Sequence, residues 1–217
     1  MARPTRRHLA IGGGLLLLGI GILLQVLALS RSPDGEEELT DSMRALETTG
    51  GDGAARALAD IARRVPERAA EAALRLSRLD GRTASAALIE ILDDPSAGSM
   101  LRAAAARALG RARLLSAAEA LSRHARSGDP EVKAASLEAL GLLGDPGNAA
   151  VVAPALDDAD PRARRAAIKA LGNLRAEDSS KALERFLART PPPNDGEAAL
   201  ARQSLAVLRG EEPSKRF

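Results

Sequence analysis

Few residues in this chain are suited to carry chemistry. Histidine occurs only at His8 and His124, and cysteine is absent, so neither a thiolate nucleophile nor a metal site of paired His or Cys ligands can form. Two acidic pairs, Asp93-Asp94 and Asp157-Asp158, could in principle bind a cation or act as an acid and a base. Both pairs come at the end of a predicted helix, before a turn, where carboxylates commonly cap the next helix. The sequence therefore predicts no catalytic residue, no metal and no cofactor.

Phosphate and nucleic-acid sites are also not predicted. The glycines at positions 50, 51 and 53 follow a predicted helix and lack the strand and lysine of a phosphate-binding loop. The chain has two Phe and no Trp or Tyr, so basic clusters have no aromatic platforms on which bases could stack. We expect a protein that is not an enzyme and does not bind nucleic acid.

The basic character of the chain is confined to its N-terminus. The chain has 31 Lys and Arg and 29 Asp and Glu residues, and four of the arginines lie within residues 1–31, which contain no acid. The remaining residues therefore carry 27 basic and 29 acidic side chains. The folded part is close to neutral, and its net charge does not favour an anionic partner.

Residues 9–29 are predicted to form a transmembrane helix. This uncharged run of 21 residues would be about 31 Å long as a helix, which matches the hydrocarbon core of a bilayer. Arg3, Arg6 and Arg7 precede the run, whereas acidic residues between 34 and 38 follow it. The positive-inside bias then predicts a cytoplasmic N-terminus and export of the rest of the chain.

A cleaved signal peptide is the alternative that this segment leaves open. Val26-Leu27-Ala28 and Ala28-Leu29-Ser30 offer small residues at a spacing suited to a signal peptidase, but the apolar run exceeds a typical signal sequence. Cleavage would give a secreted protein, with the repeats on the same side of the membrane. Small-residue spacings within 12–21 are also compatible with a homodimer through the anchor.

The remainder of the chain is organised around a repeat. The tripeptide Ala-Leu-Gly occurs at 108–110, 139–141 and 170–172, spaced by 31 residues. A fixed period of this length indicates a solenoid, in which each unit buries its apolar face against its neighbours. The best-defined units begin with Asp129-Pro130 and Asp160-Pro161, where aspartate can cap a helix and proline suits its first position.

The period predicts an all-α fold of about five helical hairpins and a closing helix, eleven helices in all. Second helices are expected at 148–156 and 180–188. The predicted organisation is a cytoplasmic flank at 1–8, the anchor at 9–29, a linker with a turn at 30–38, the repeat domain at 39–209 and a disordered tail at 210–217. The Pro191–Pro193 loop is either an insertion or a docking point.

The Asp-Pro-x-Val-Lys-Ala-Ala and Ala-Leu-Gly-x-Leu patterns at 129–143, with their counterparts at 160–174, resemble the HEAT-repeat superfamily. They are similar in particular to the short repeats of about 30 residues also found in phycobilisome lyases. The resemblance implies an α-solenoid and a structural ladder, in which basic residues bond to the capping aspartates of adjacent units. The corresponding ladder residues are Arg102, Asp129, Lys133, Asp160 and Arg164.

The resemblance does not specify a function. HEAT-like hydroxylases hold iron with repeated His-Glu pairs, and this chain contains no His-Glu dipeptide. A phycobilin lyase would require a cytoplasmic chain, which the N-terminal segment contradicts. Neither activity is therefore expected.

The prediction is a membrane-anchored, non-catalytic scaffold that binds another protein outside the cytoplasm, in the periplasm if the source is Gram-negative. Second helices usually line the concave side of HEAT arrays, so the resemblance implies contact residues on them. The alternatives are an accessory subunit or maturation factor of an extracytoplasmic enzyme, or a structural spacer. The candidate contact residues are Glu90, Glu119, Arg123, His124, Glu184 and Arg185.

Overall fold

The structure, a computed structural model, describes residues 33–79, 82–189 and 194–211. These residues form eleven α-helices and four short 3-10 helices, with no strand among them, so the predicted all-α class and helix count are confirmed. The α-helices are α1 (Pro33–Thr49), α2 (Gly51–Arg64), α3 (Ala69–Leu76), α4 (Arg82–Asp93), α5 (Ser99–Arg111), α6 (Ala118–His124), α7 (Pro130–Leu143), α8 (Ala149–Val152), α9 (Pro161–Leu174), α10 (Glu177–Leu187) and α11 (Asp195–Leu208).

The chain divides into two compact units, Met1–Ser42 and Met43–Phe217. In the first unit the structure describes residues 33–42, which belong to α1. The helix thus extends into the segment 30–38, for which the sequence predicted a linker with a turn. Proline is tolerated at the first position of a helix because its missing N–H would have no helical partner there. The Thr40 hydroxyl donates to the Glu36 carbonyl at 2.9 Å, as expected within a helix.

Several predicted segments lie outside the described residues. They include the cytoplasmic flank at 1–8, the anchor at 9–29, the Pro191–Pro193 loop and most of the tail at 210–217. Among the helices that the structure does describe, none combines the length and apolar character needed to cross a membrane.

Within residues 43–217, the helices form consecutive hairpins, which are the repeat units. The first helix of each hairpin packs on the first helix of the next one, in chain order. Helices α3, α5, α7, α9 and α11 form this row, and each second helix packs against the first helix of the next unit. Leu109, Leu140 and Leu171, the central residues of the three tripeptides, are each 0% exposed. The repeat period therefore returns the same buried position to a shared apolar core in each unit.

The glycine of each Ala-Leu-Gly tripeptide lies where two first helices approach most closely. Without a side chain, it lets the backbone of the next helix come into contact. A Cβ added to these glycines would lie 2.5 Å from the Ala139 Cα at Gly110, 2.5 Å from the Ala170 Cα at Gly141 and 2.9 Å from the Ser204 Cβ at Gly172. Close packing of these helices therefore requires the glycine on one helix and the small residue, alanine or serine, that faces it on the next helix.

The ends of the first helices share a second repeated feature. Arg113, Gly144 and Arg175 occupy equivalent positions in successive units and have φ values of 51°, 72° and 50°. Helices commonly end at such a left-handed residue, which is usually glycine because a Cβ is disfavoured there. Only Gly144 is a glycine. The sequence therefore indicates the end of the first helix in one of these three units, and not in the two units that have arginine there.

The second helix of the hairpin that begins at Asp129 is shorter than predicted. The segment 148–156, predicted as one helix, consists of the single turn α8 between 3-10 helices at Pro146–Asn148 and Ala153–Asp157. Pro154 accounts for the change, because proline has no N–H to donate to the carbonyl of Ala150, four residues earlier. The other predicted second helix, at 180–188, is α10 and begins three residues earlier.

Replacing Ser136 by alanine is expected to stabilise the fold. Ser136 is 0% exposed, and its hydroxyl has no hydrogen-bond partner. Ala105 and Ala167 hold the equivalent positions in the neighbouring units. Because the substitution removes a buried hydroxyl that has no hydrogen-bond partner, we expect the free energy of unfolding to rise by about 1 kcal/mol. Urea denaturation measures this change. The exposed Ser116→Ala variant should change it little, and a destabilised Ser136→Ala variant would contradict the interpretation.

Candidate protein-binding site

Aspartate caps the first helices of two units, as predicted. The Asp129 carboxylate accepts hydrogen bonds from the N–H groups of Glu131 at 3.0 Å and Val132 at 3.2 Å. The Asp160 carboxylate accepts from the N–H of Arg162 at 2.9 Å. These bonds satisfy N–H groups that have no partner inside the helix, so each cap fixes where a unit begins.

Among the described residues, the basic ladder residues direct their hydrogen bonds to groups beside the capping carboxylates. Arg102 donates to the carbonyl of Leu92 at 3.1 Å, and Arg164 donates to the carbonyls of Asp158 and Ala159, both at 2.9 Å. These carbonyls close the preceding second helix or follow it, where backbone acceptors have no helical donor. The capping carboxylates are already occupied by the N–H groups of their own helices.

Lys133 is connected to the capping residue of the next first helix, Asp160, through Asp158. Its ammonium donates to the Asp158 carboxylate at 2.7 Å, and the other oxygen of Asp158 accepts the N–H of Asp160 at 2.9 Å. The hydrogen bond from Lys133 and that from the Asp160 N–H outweigh burial and lower the pKa of Asp158. The ladder thus connects Lys133 to the next unit through Asp158.

The Asp158→Asn variant is expected to lose stability in a pH-dependent way. Because the pKa of Asp158 is lowered in the fold, its carboxylate stabilises the protein above its unfolded pKa of about 3.9, and this contribution is lost as the pH falls through the lower folded value. At pH 7 the variant should be about 1 kcal/mol less stable. Urea denaturation from pH 7 to pH 3 should show the difference shrinking, and a constant difference would contradict the ionic interpretation.

Arg123 and His124, two predicted contact residues, are brought together with Asp93. His124 Nε2 lies 2.7 Å from the Asp93 carboxylate, and Arg123 donates to the same group at 2.9 Å. His124 Nδ1 faces the Arg102 guanidinium at 3.4 Å. Burial raises the pKa of Asp93, but the hydrogen bonds from His124 and Arg123 outweigh it and lower that pKa. Both residues thus link α6 to the end of α4, a role that the sequence did not indicate.

The other predicted contact residues lie at separate places along the second helices. Glu90 of α4 pairs with Arg63 of α2 at 3.4 Å, and Glu119 pairs with Arg123 at 3.4 Å within α6. Glu184 and Arg185 lie on α10 and line a groove. Glu184 and Arg185 therefore lie together at this groove, whereas Glu90 and Glu119 pair with arginines elsewhere along the array.

The groove lies between α8 and α10 and has a volume of about 610 Å³. Its α8 side consists of alanines, and no charged residue occurs between 148 and 156. Its α10 side carries both signs of charge. The lining residues are Ala149, Ala150, Ala153, Asp178, Lys181, Glu184 and Arg185. The sequence prediction missed the α8 side, although Pro154 and the uncharged run were visible signals.

Two of the four charged lining residues are paired with neighbours. Lys181 contacts Glu177 at 2.7 Å, and this hydrogen bond raises the pKa of Lys181. Glu184 contacts Arg209 at 2.9 Å. Arg185 donates to the backbone carbonyl of Lys181 at 3.3 Å. Within the part of the chain that the structure describes, neither Arg185 nor Asp178 has an ion pair.

Helical units that stack in chain order and repeat one set of contacts at a fixed period define an α-helical repeat protein. Residues 118–206, from the start of α6 into α11, match the sequence family described as HEAT repeats. This part of the chain is therefore similar to HEAT repeats. No curated protein sequence matches it.

Solved structures share this fold at low sequence identity. The complex of CpcE and CpcF of phycocyanin lyase from Nostoc sp. PCC7120 is similar with 24% identity and a TM-score of 0.59, over 74% of this chain and 66% of that one. The chain thus spans slightly less than two thirds of that relative. A designed armadillo repeat protein in complex with the peptide (KR)4 is similar with 17% identity and a TM-score of 0.53, over 85% of this chain and 98% of that one.

Proposed function

We propose that the protein is a membrane-anchored, non-catalytic scaffold that holds a partner protein through its second helices. The observation that carries this proposal is the groove between α8 and α10, with an alanine floor and charged residues at its rim. An uncharged centre with a polar rim is the usual composition of a protein interface. The lining residues include no pairing of a nucleophile with a base, which favours binding over catalysis.

The location of the scaffold rests on the N-terminal sequence. Residues 9–29 are uncharged, with arginines before them and acidic residues after them. This pattern supports a single-pass anchor with the repeats outside the cytoplasm, in the periplasm of a Gram-negative cell. It also supports the alternative role as an accessory subunit or maturation factor of an extracytoplasmic enzyme, since such a factor would use the same binding face.

Affinity purification of the full chain with a C-terminal tag tests the proposal. The protein is extracted with detergent from washed membranes, and its companions are identified by mass spectrometry. We expect one stoichiometric companion that Arg185→Glu removes, because this exposed side chain lines the groove. Arg165→Glu is the matched control, since Arg165 is an exposed arginine on α9 outside the groove, and it should retain the companion.

Two results would contradict the proposal. A bait that returns alone would favour a structural spacer or a transient maturation factor over a scaffold. A bait found only in the soluble fraction would exclude the anchor and favour the cleaved signal peptide.

A further inference from the structure

The two charges of the groove that form no ion pair among the described residues lie at opposite ends of one face of α10. Asp178 and Arg185 are seven residues apart, which corresponds to two helical turns and about 10.5 Å along the helix axis. Residues at this spacing lie on the same side of a helix. The groove therefore has a negative end at Asp178 and a positive end at Arg185.

The other charges at the rim do not cancel this polarity. Lys181 and Glu184, which lie between the two ends, are paired with Glu177 and Arg209. Neither Asp178 nor Arg185 has an ion pair among the described residues, so a partner would not have to break one in order to bind them. Charge complementarity then requires a basic group opposite Asp178 and an acidic group opposite Arg185.

The floor between the charged ends is suited to close approach. Ala149, Ala150 and Ala153 extend no further than Cβ, so a neighbouring backbone can lie close to α8. Small, uncharged residues are thus favoured on the face of the partner that covers the floor.

We propose that this groove binds an amphipathic helix of a partner protein that carries an acidic and a basic residue seven positions apart, with small apolar residues between them. This inference rests on the proposed scaffold function and specifies the partner. Helices commonly bind in grooves through residues at i, i+3, i+4 and i+7. An extended peptide rises about 3.3 Å per residue, so it would place the same two charges only three positions apart.

Selection from a displayed peptide library tests the proposal. The library presents an alanine-rich helix with randomised surface positions, together with unstructured peptides of equal length, to the detergent-solubilised full chain. We expect enriched helices with opposite charges seven positions apart, and binding at least tenfold weaker to Arg185→Glu. Arg165→Glu should bind as the wild type does. Selection against Arg185→Glu should enrich a basic residue in place of the acidic one.

A second variant tests whether the loss of binding in Arg185→Glu comes from the groove and not from an indirect effect of the charge reversal. Ala150→Arg fills the floor without changing a charge of α10, and because Ala150 is exposed the fold should be retained, which thermal unfolding checks. This variant should also bind the selected helices at least tenfold more weakly. Equal binding to the wild type and to both variants would overturn the proposal, as would enrichment of extended peptides with charges three positions apart.

The outcome also separates this inference from the proposed function. A natural companion that Arg185→Glu removes, combined with selected peptides that lack the charge pair, would leave the scaffold standing and refute the helical partner. A bait without a companion, combined with enriched helices that carry the pair, would support the site and refute the stable scaffold.

Discussion

Replacing Arg164 by alanine is expected to lower the free energy of unfolding by about 3–5 kcal/mol, because it leaves a buried carboxylate without a partner. Arg164 of α9 contacts Glu197 of α11 at 2.8 Å, and Glu197 is only 2% exposed. The same guanidinium holds the carbonyls of Asp158 and Ala159. Urea denaturation followed by circular dichroism measures the loss.

Arg162 provides the matched control on the same helix. Its side chain is 59% exposed and contacts Asp160 at 2.9 Å, so Arg162→Ala should cost less than about 1 kcal/mol, as surface ion pairs do. The double variant Arg164→Ala with Glu197→Ala should recover part of the loss, because it removes the unpaired buried charge. Equal losses for Arg162→Ala and Arg164→Ala would refute the role assigned to the buried pair.

The Gly141→Ala variant is expected to be destabilised, although alanine is the better helix former. A Cβ at Gly141 would lie 2.5 Å from the Cα of Ala170 and 2.8 Å from its Cβ. These are backbone and Cβ atoms that cannot rotate away, so α7 and α9 must separate along a shared core, and overpacking of this kind costs about 1–3 kcal/mol. Thermal and urea unfolding report the change.

The same substitution at Gly53 should have the opposite sign. Gly53 lies in α2 and is exposed, and an added Cβ there would meet no atom within 4 Å. Gly53→Ala should therefore raise the stability by up to about 1 kcal/mol through helix propensity alone. If Gly141→Ala were as stable as Gly53→Ala, the close approach of α7 and α9 would not be a requirement of the fold.

The Arg164→Ala and Gly141→Ala variants both alter contacts that join one repeat unit to the next. Gly141 of α7 contacts Ala170 of α9, and Arg164 of α9 pairs with Glu197 of α11. In a repeat protein such interfaces between neighbours carry much of the stability, because no single unit can bury its apolar face alone. Damage to one interface is therefore expected to affect the cooperativity of unfolding as well as its midpoint.

The sequence alone determined the helical repeat. The Ala-Leu-Gly period and the Asp129-Pro130 and Asp160-Pro161 pairs predicted the all-α class, the number of helices and the capped helix starts. These features depend on residues close together in the chain, whose apolar spacing and capping geometry are local properties. The predicted linker at 30–38 was less reliable, because proline and acidic residues suit the first turn of a helix as well as a loop.

Only the tertiary structure decided which side chains meet across units. It paired Arg164 with Glu197, placed His124 between Asp93 and Arg102, and formed the groove between α8 and α10. Each of these contacts joins residues that are distant in the chain, and several donors and acceptors of similar chemistry compete for each position. The choice among them depends on how the helices pack and which carboxylates their own N–H groups already occupy, and a single sequence does not contain that information in readable form.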